Sequence, residues 1–209
     1  MAGGSNMFAE VQRGAASIVE GKAPRRVDWE DYNYPPGLRL VHIDLDDLDG
    51  EQKGAAQLAN AAFLGVCFTI CFQFLSCCIR TGYGQPGIII LYALMNIVVL
   101  CNVGLYAYYN GYKGLVTNNN AQTSRYLFLQ ALIVVFCLVS SLVYGASWCG
   151  WLVIPYTAHW TSEELKSAWQ TLGVIEGSLW MICMFLGGIA MYRVHATRQS
   201  GLPAFNYRG

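Results

Sequence analysis

The stretch that decides the fold is Leu58–Ile79, which reads LANAAFLGVCFTICFQFLSCCI and contains no charged residue. A helix needs about 20 apolar residues to cross the hydrocarbon core of a bilayer, so this run can span one. Three more runs of comparable character follow at 87–109, 127–150 and 172–193. They lack the two-residue alternation of barrel strands. We therefore predict an all-α membrane protein with four transmembrane helices.

The charge content supports a membrane protein. Of 209 residues, 12% are charged and 55% hydrophobic, whereas soluble domains are about 25% charged. The 13 basic and 13 acidic residues cancel overall, yet residues 1–57 hold ten acids and six bases, a net charge of −4. This composition excludes a disordered chain and a basic nucleic-acid-binding protein. The lipid bilayer is the expected partner, and nucleic acid is not.

The distribution of Lys and Arg predicts the orientation. With the N-terminus in the cytosol, eleven bases lie on the cytosolic side and only Arg80 and Lys166 on the other, as the positive-inside rule requires. Both termini are then cytosolic. No apolar core lies near Met1, so we expect no cleavable signal peptide. We divide the chain into a cytosolic arm (1–57), a transmembrane domain (58–195) and a cytosolic tail (196–209).

The arm has two expected parts. Apolar side chains recur at helical spacing over residues 5–20, which predicts a short amphipathic helix. Prolines at 24, 35 and 36 forbid a continuous helix over residues 21–57, so an extended segment should follow. That segment carries five acids in the eight residues 44–51. We interpret them as a solvated acidic linker, since their spacing does not match a calcium loop.

No catalytic motif is present: the sequence has no nucleophile elbow, no phosphate loop and no paired histidines on a helix. We therefore expect no enzyme activity, no cofactor and no metal. The polar residues within the apolar runs are few, and neutral amides there usually bridge helices. We interpret Glu176 as a capping or interfacial carboxylate in the first turns of its helix, in preference to a proton relay. The other candidates are Gln73, Asn96, Asn102 and Gln130.

Cysteine positions suggest one covalent link. The eight cysteines lie in or beside the apolar runs, and most fit buried small side chains. Cys77, Cys78 and Cys149 fall near the predicted non-cytosolic end, which is oxidising along the secretory pathway. A disulfide from Cys77 or Cys78 to Cys149 is therefore possible, with Cys78–Cys149 the pair we put forward.

Asn33-Tyr34-Pro35-Pro36 is followed by the acidic segment that contains His42-Ile43-Asp44, and then by four spans. This order of motifs resembles that of the secretory carrier membrane proteins (SCAMPs). The loop from Tyr112-Lys113-Gly114 to Arg125-Tyr126 corresponds in place to the family's cytosolic segment between the second and third spans. Ser147-Trp148-Cys149-Gly150-Trp151 and Arg193-Val194-His195 are similar to family elements after the third and fourth spans. The resemblance covers roughly residues 32–200.

The resemblance implies a non-enzymatic tetraspan of Golgi, endosomal and plasma-membrane carriers that supports vesicle trafficking and exocytosis. It acts, on this view, through the cytosolic arm and the 110–126 loop. The implied contact residues are Asn33, Tyr34, Pro35, Pro36, His42, Asp44, Tyr112, Lys113 and Arg125. The family's Asn-Pro-Phe repeats are absent from this sequence, and prolines interrupt residues 21–57 where a coiled coil would lie. The chain would therefore be a short or divergent member.

Two other functions stay open at this point. The small and aromatic residues of the spans also suit an accessory structural subunit of a larger membrane complex, and a homo-oligomer is compatible with them. A small channel or transporter would need a polar path at mid-membrane depth, for which the sequence offers only scattered amides.

Overall fold

A computed structural model describes residues 27–48 and 50–199 of the chain. The chain divides into two compact units, one ending at His42 and one beginning at Ile43. The amphipathic helix that we predict over residues 5–20 and most of the predicted tail lie outside the described residues.

Four long helices form the second unit. They are α1 (Gly50–Gly82), α2 (Ile88–Val116), α3 (Asn120–Leu142) and α5 (Glu163–Gln199). Each is long and apolar enough to cross a membrane. The helices pack in a ring in which α1 contacts α2, α2 contacts α3, α3 contacts α5, and α5 returns to α1. The prediction of an all-α protein with four transmembrane helices is confirmed.

The helices do not end where the apolar runs end. We call the side of the bundle where α1 begins the arm end. There, α1 begins at Gly50, before its apolar run, and α2 continues to Val116, past the end of its own. A three-residue turn, 117–119, connects α2 to α3. The predicted 110–126 loop is therefore helical except for this turn. Polar residues at a helix end can remain helical where the helix extends past the membrane. Hydropathy therefore indicates which residues lie in the bilayer, but it does not indicate where the helix ends.

Local chemistry explains the tight turn between α2 and α3. Asn119 caps α3, its side chain accepting the Ala121 N–H at 2.9 Å. Asn118 adopts φ 49°, the left-handed region that Asn tolerates well. Gly114 lies so close to the next helix that an added Cβ would meet the Thr123 Oγ1 at 2.5 Å and its backbone N at 2.8 Å. Glycine at 114 thus permits the close approach.

The connection after α3 is folded and buried. The predicted third span, 127–150, ends at Leu142 in the structure. A two-stranded hairpin follows, with β1 (Tyr144–Gly145) antiparallel to β2 (Trp148–Cys149), and then the short helix α4 (Val153–Thr157). α5 begins at Glu163, nine residues before the predicted start of the fourth span. We call this side of the bundle the hairpin end.

The described part of the first unit is a closed loop. Tyr34 and Val41 form an isolated antiparallel bridge, with each N–H donating to the other's carbonyl at 2.9 Å. Inside the loop, the Leu38 and Arg39 N–H groups both donate to the Pro35 carbonyl. The Tyr34–Pro35 peptide bond is cis. Residues 34–41, which contain the Tyr-Pro-Pro sequence, therefore form a defined structure that we call the arm loop.

Gly114→Ala is expected to destabilise the protein by about 1–3 kcal/mol, because the new methyl group would displace the Thr123 backbone. Gly54→Ala is the matched control: Gly54 also lies in a helix, but nothing lies within 4 Å of its added Cβ. Alanine there should be neutral or stabilising by up to about 1 kcal/mol. Thermal unfolding in one detergent measures both. Equal unfolding temperatures for the two variants would contradict the close contact.

Candidate functional site

A buried arginine at the end of α1 holds the hairpin. Arg80 is 2% exposed. Its Nη2 donates to the Ala146 carbonyl at 3.1 Å, and its Nη1 donates to the carbonyls of Trp148 at 3.2 Å and Ser147 at 3.4 Å. The guanidinium also lies 5.6 Å from the centre of the Tyr144 ring, a cation–π distance. One side chain thus donates to three consecutive carbonyls at the tip of the hairpin.

Amides from α1 and α2 hold the turn of the hairpin. Gln73 Nε2 donates to the Ser147 Oγ at 3.2 Å and to the Ser147 carbonyl at 3.3 Å. Asn96 Nδ2 donates to the same Oγ at 3.2 Å. The Cys77 thiol donates to the Ser147 carbonyl at 3.2 Å. The expectation that span amides bridge elements of the protein thus describes Gln73 and Asn96, which act through the hairpin.

The buried acid also binds strand β2 of the hairpin. Glu176 Oε1 accepts the Cys149 N–H at 3.0 Å, and the residue has no exposed surface. It lies thirteen residues after the start of α5, about 20 Å along the axis. The prediction that Glu176 lies in the first turns of its helix is therefore wrong, because α5 starts well before its apolar run. Its partner is the hairpin backbone, so the hairpin binds the buried side chains of both Arg80 and Glu176.

The cysteines of this region make other contacts. The Cys149 thiol points at the Trp169 carbonyl, 3.9 Å away, and all eight cysteines are free thiols in the structure. The disulfide that we considered between Cys78 and Cys149 is therefore not formed here. Burial, with the neighbouring Glu176 charge as the second cause, raises the pKa of Cys149 to about 12. The thiol is thus protonated at neutral pH, which makes it a poor nucleophile for disulfide exchange.

The segment after the hairpin packs against glycines of α5. An added Cβ at Gly173 would collide with Val153, and one at Gly177 would collide with Trp151. These two glycines thus let the connection between α3 and α5 pack closely against α5. Gly187, further along α5, does face a helix: its Cβ would meet the Gln130 Nε2 of α3 at 2.7 Å.

At the arm end, the acidic segment docks on α2 through Tyr112. Asp44 caps a short 3-10 helix, Leu45–Asp47. The Tyr112 hydroxyl accepts the Asp44 N–H at 3.0 Å and donates to Asp47 Oδ2 at 2.8 Å. Tyr112 is 1% exposed. It therefore positions the acidic turn and offers no side-chain surface to a partner, unlike the contact role that the resemblance implies.

The other predicted contact residues of the second unit differ in accessibility. Asp44 and Arg125 are exposed, and Lys113 is half-buried. Lys113 Nζ lies 3.3 Å from the Tyr109 hydroxyl and stacks over that ring at 5.5 Å. Within residues 27–48 and 50–199, no three His, Cys, Asp or Glu side chains are grouped so that they could hold a metal ion.

The predicted residues of the first unit gather around the arm loop. Asn33 and Pro36 are exposed, and Tyr34 and Pro35 are half-buried. His42 is buried; its Nδ1 lies 2.9 Å from the Asp31 carbonyl, and Trp29 contacts its ring edge to face. Two exposed aliphatic side chains of this unit were not predicted: Leu38 is 69% exposed and Leu40 53%. They alternate across Arg39 on the rim of the arm loop.

The hairpin network was also missed at the sequence level, where Arg80 was only counted as a loop charge. One signal was available: a basic residue directly after an uncharged span must leave the membrane or find acceptors in the protein. Which carbonyls accept from it depends on the fold of residues 143–152, and the sequence pattern predicts a continuing helix there.

Arg80→Met is expected to destabilise the protein by about 3 kcal/mol, because the carbonyls of Ala146, Ser147 and Trp148 all lose a hydrogen bond from the buried guanidinium while the side-chain volume stays similar. Lys166→Met is the matched control: its ion pair with Glu163 is at the surface, so its loss should cost less than about 1 kcal/mol. Thermal unfolding in detergent compares them. Limited proteolysis should cut Arg80→Met in residues 143–152 first, and a cut pattern like that of the native chain would contradict the assignment.

A family model confirms the resemblance found in the motifs. The model described as the SCAMP family matches residues 31–201, which include the arm loop, all four spans and the hairpin. No curated protein matches the chain, and no solved structure matches it. The match covers most of the chain and agrees with the four membrane-spanning helices. The chain is therefore an integral, multi-pass membrane protein that belongs to the SCAMP family.

Proposed function

We propose that this protein is a non-enzymatic tetraspan that supports vesicle trafficking and exocytosis, and that it acts through the arm loop. The observation that carries the proposal is the arm loop itself. It lies within the segment that the family model matches, and it displays Leu38 and Leu40 on a closed backbone. Exposed apolar side chains on an ordered loop are suited to binding another protein.

The proposed orientation places the arm loop in the cytosol. All Lys and Arg residues except Arg80 and Lys166 lie on the side that we assign to the cytosol. Arg80 is buried in the hairpin network, so it contributes little to the charge of the opposite surface. Cytosolic coat and fusion components would then meet the arm loop. Carriers of the Golgi, the endosomes and the plasma membrane are the proposed location.

A separate candidate contact surface lies at the arm end of the bundle. Asp44 and Asp46 are exposed there, and Arg125 is exposed on α3. Lys53 pairs with Asp46 at 2.7 Å, which partly neutralises the acidic turn. Tyr112 holds this turn in place, so we assign it a positioning role. Partners with mixed charge would fit these groups better than strongly basic ones.

The experiment that tests this proposal is a rescue assay in cells depleted of the protein, with secretion of a reporter as the readout. The native chain should restore secretion and locate to secretory-pathway membranes. Leu38→Asp combined with Leu40→Asp should restore less than half, because aspartate removes the apolar contact without touching a buried residue. Glu30→Ala, an exposed change in the arm outside the arm loop, is the control and should rescue fully.

Two results would contradict the proposal. The first is full rescue by the Leu38→Asp, Leu40→Asp variant at native expression level, which would remove the arm loop from the function. The second is confinement of the native chain to mitochondria or plastids, which would remove the trafficking role altogether.

A further inference from the structure

The amide and acidic side chains of the four apolar runs are buried or half-buried in the protein, with one exception. Gln73, Gln130 and Glu176 are buried, and Asn96 is half-buried against Gln73 and Ser147. Asn102, on α2, is exposed on the outer surface of the bundle. Within runs 58–79, 87–109, 127–150 and 172–193, which the structure describes in full, no other amide or acidic side chain is exposed.

Asn102 lies within the hydrocarbon core. It is four residues from the centre of the run 87–109, about 6 Å along the helix axis, and the core extends about 15 Å on either side of its midplane. One N–H of its amide donates to the Val98 carbonyl at 2.6 Å. The second N–H and the carbonyl oxygen have no hydrogen-bond partner among the described residues. Lipid tails offer none, so these groups favour a protein partner.

The surface around Asn102 has the pattern of a helix-packing seam. Exposed residues follow one another at spacings of three and four along α2, as in a heptad repeat. They are Ile88, Leu91, Met95, Val98, Asn102 and Tyr106. α2 is also the least covered span, with 22% of its most apolar window buried against 33–44% for the others. A continuous apolar seam that contains one amide, Asn102, therefore runs along the span with the smallest buried fraction.

We propose that a second copy of this chain packs on this seam, with α2 against α2 and Asn102 against Asn102. An amide is self-complementary, since the N–H of one copy donates to the carbonyl oxygen of the other. A two-fold axis brings the same residue of both copies together, which gives two such hydrogen bonds. A single asparagine in an apolar seam also selects one register, since any shift leaves both amides unpaired.

The test measures association of the full chain in phosphatidylcholine vesicles, by energy transfer between copies that carry donor or acceptor fluorescent proteins. Asn102→Leu should lower the association constant about tenfold, because two interhelical hydrogen bonds are lost. Cys71→Leu is the matched control: Cys71 is exposed on the outer surface of α1, so this change should leave association unaltered. A monomeric native chain, or native association in Asn102→Leu, would overturn the proposal.

Cross-linking locates the interface independently of the amide. In a Cys71→Ala background, Val98→Cys lies one turn from Asn102 on the seam, and Phe128→Cys lies on the outer surface of α3. Mild oxidation should give a covalent dimer with Val98→Cys and little with Phe128→Cys. Equal yields from the two positions, or a dimer only through α3, would show that the contact is elsewhere.

Discussion

The structure depends on the requirement that every buried backbone polar group finds a hydrogen bond. Helices α1, α2, α3 and α5 meet it internally. The hairpin of residues 144–149 cannot, because two short strands pair only four residues. Arg80, Gln73 and Glu176 supply the missing partners from α1 and α5, and the Asn96 amide of α2 bonds to Ser147. A segment of irregular backbone thereby fastens three of the four spans to one another.

The two ends of the bundle differ in what their polar side chains do. At the hairpin end, Arg80, Gln73, Asn96 and Glu176 hold the hairpin, and the connecting segment packs against glycines of α5. At the arm end, a three-residue turn and a docked acidic turn leave Asp44 and Arg125 exposed. The candidate contact residues thus belong to the side where the chain enters the first span, and the arm loop in the first unit adds an apolar surface of its own.

Much of the architecture follows from sequence because hydropathy reports directly on the bilayer. The four apolar runs predict the number of spans, and the amides Gln73 and Asn96 are predicted to bridge elements of the protein. Hydropathy does not report helix ends, so it predicts a loop over residues 110–126, of which 110–116 and 120–126 are helical. Nor does it report a turn buried in protein: residues 143–150 are apolar, and apolarity there reflects burial beside the bundle. The partners of Arg80 and Glu176 depend on that turn and could not be predicted without it.

The most direct test of this account exchanges the acid that holds the hairpin. Glu176→Gln keeps an oxygen that can accept the Cys149 N–H, whereas Glu176→Leu removes every acceptor. Thermal unfolding measures the free energy of unfolding of each variant. We predict a value within about 1 kcal/mol of the native chain for the glutamine variant, and one lower by about 2 kcal/mol or more for the leucine variant. Native stability in Glu176→Leu would contradict the claim that span side chains hold the hairpin.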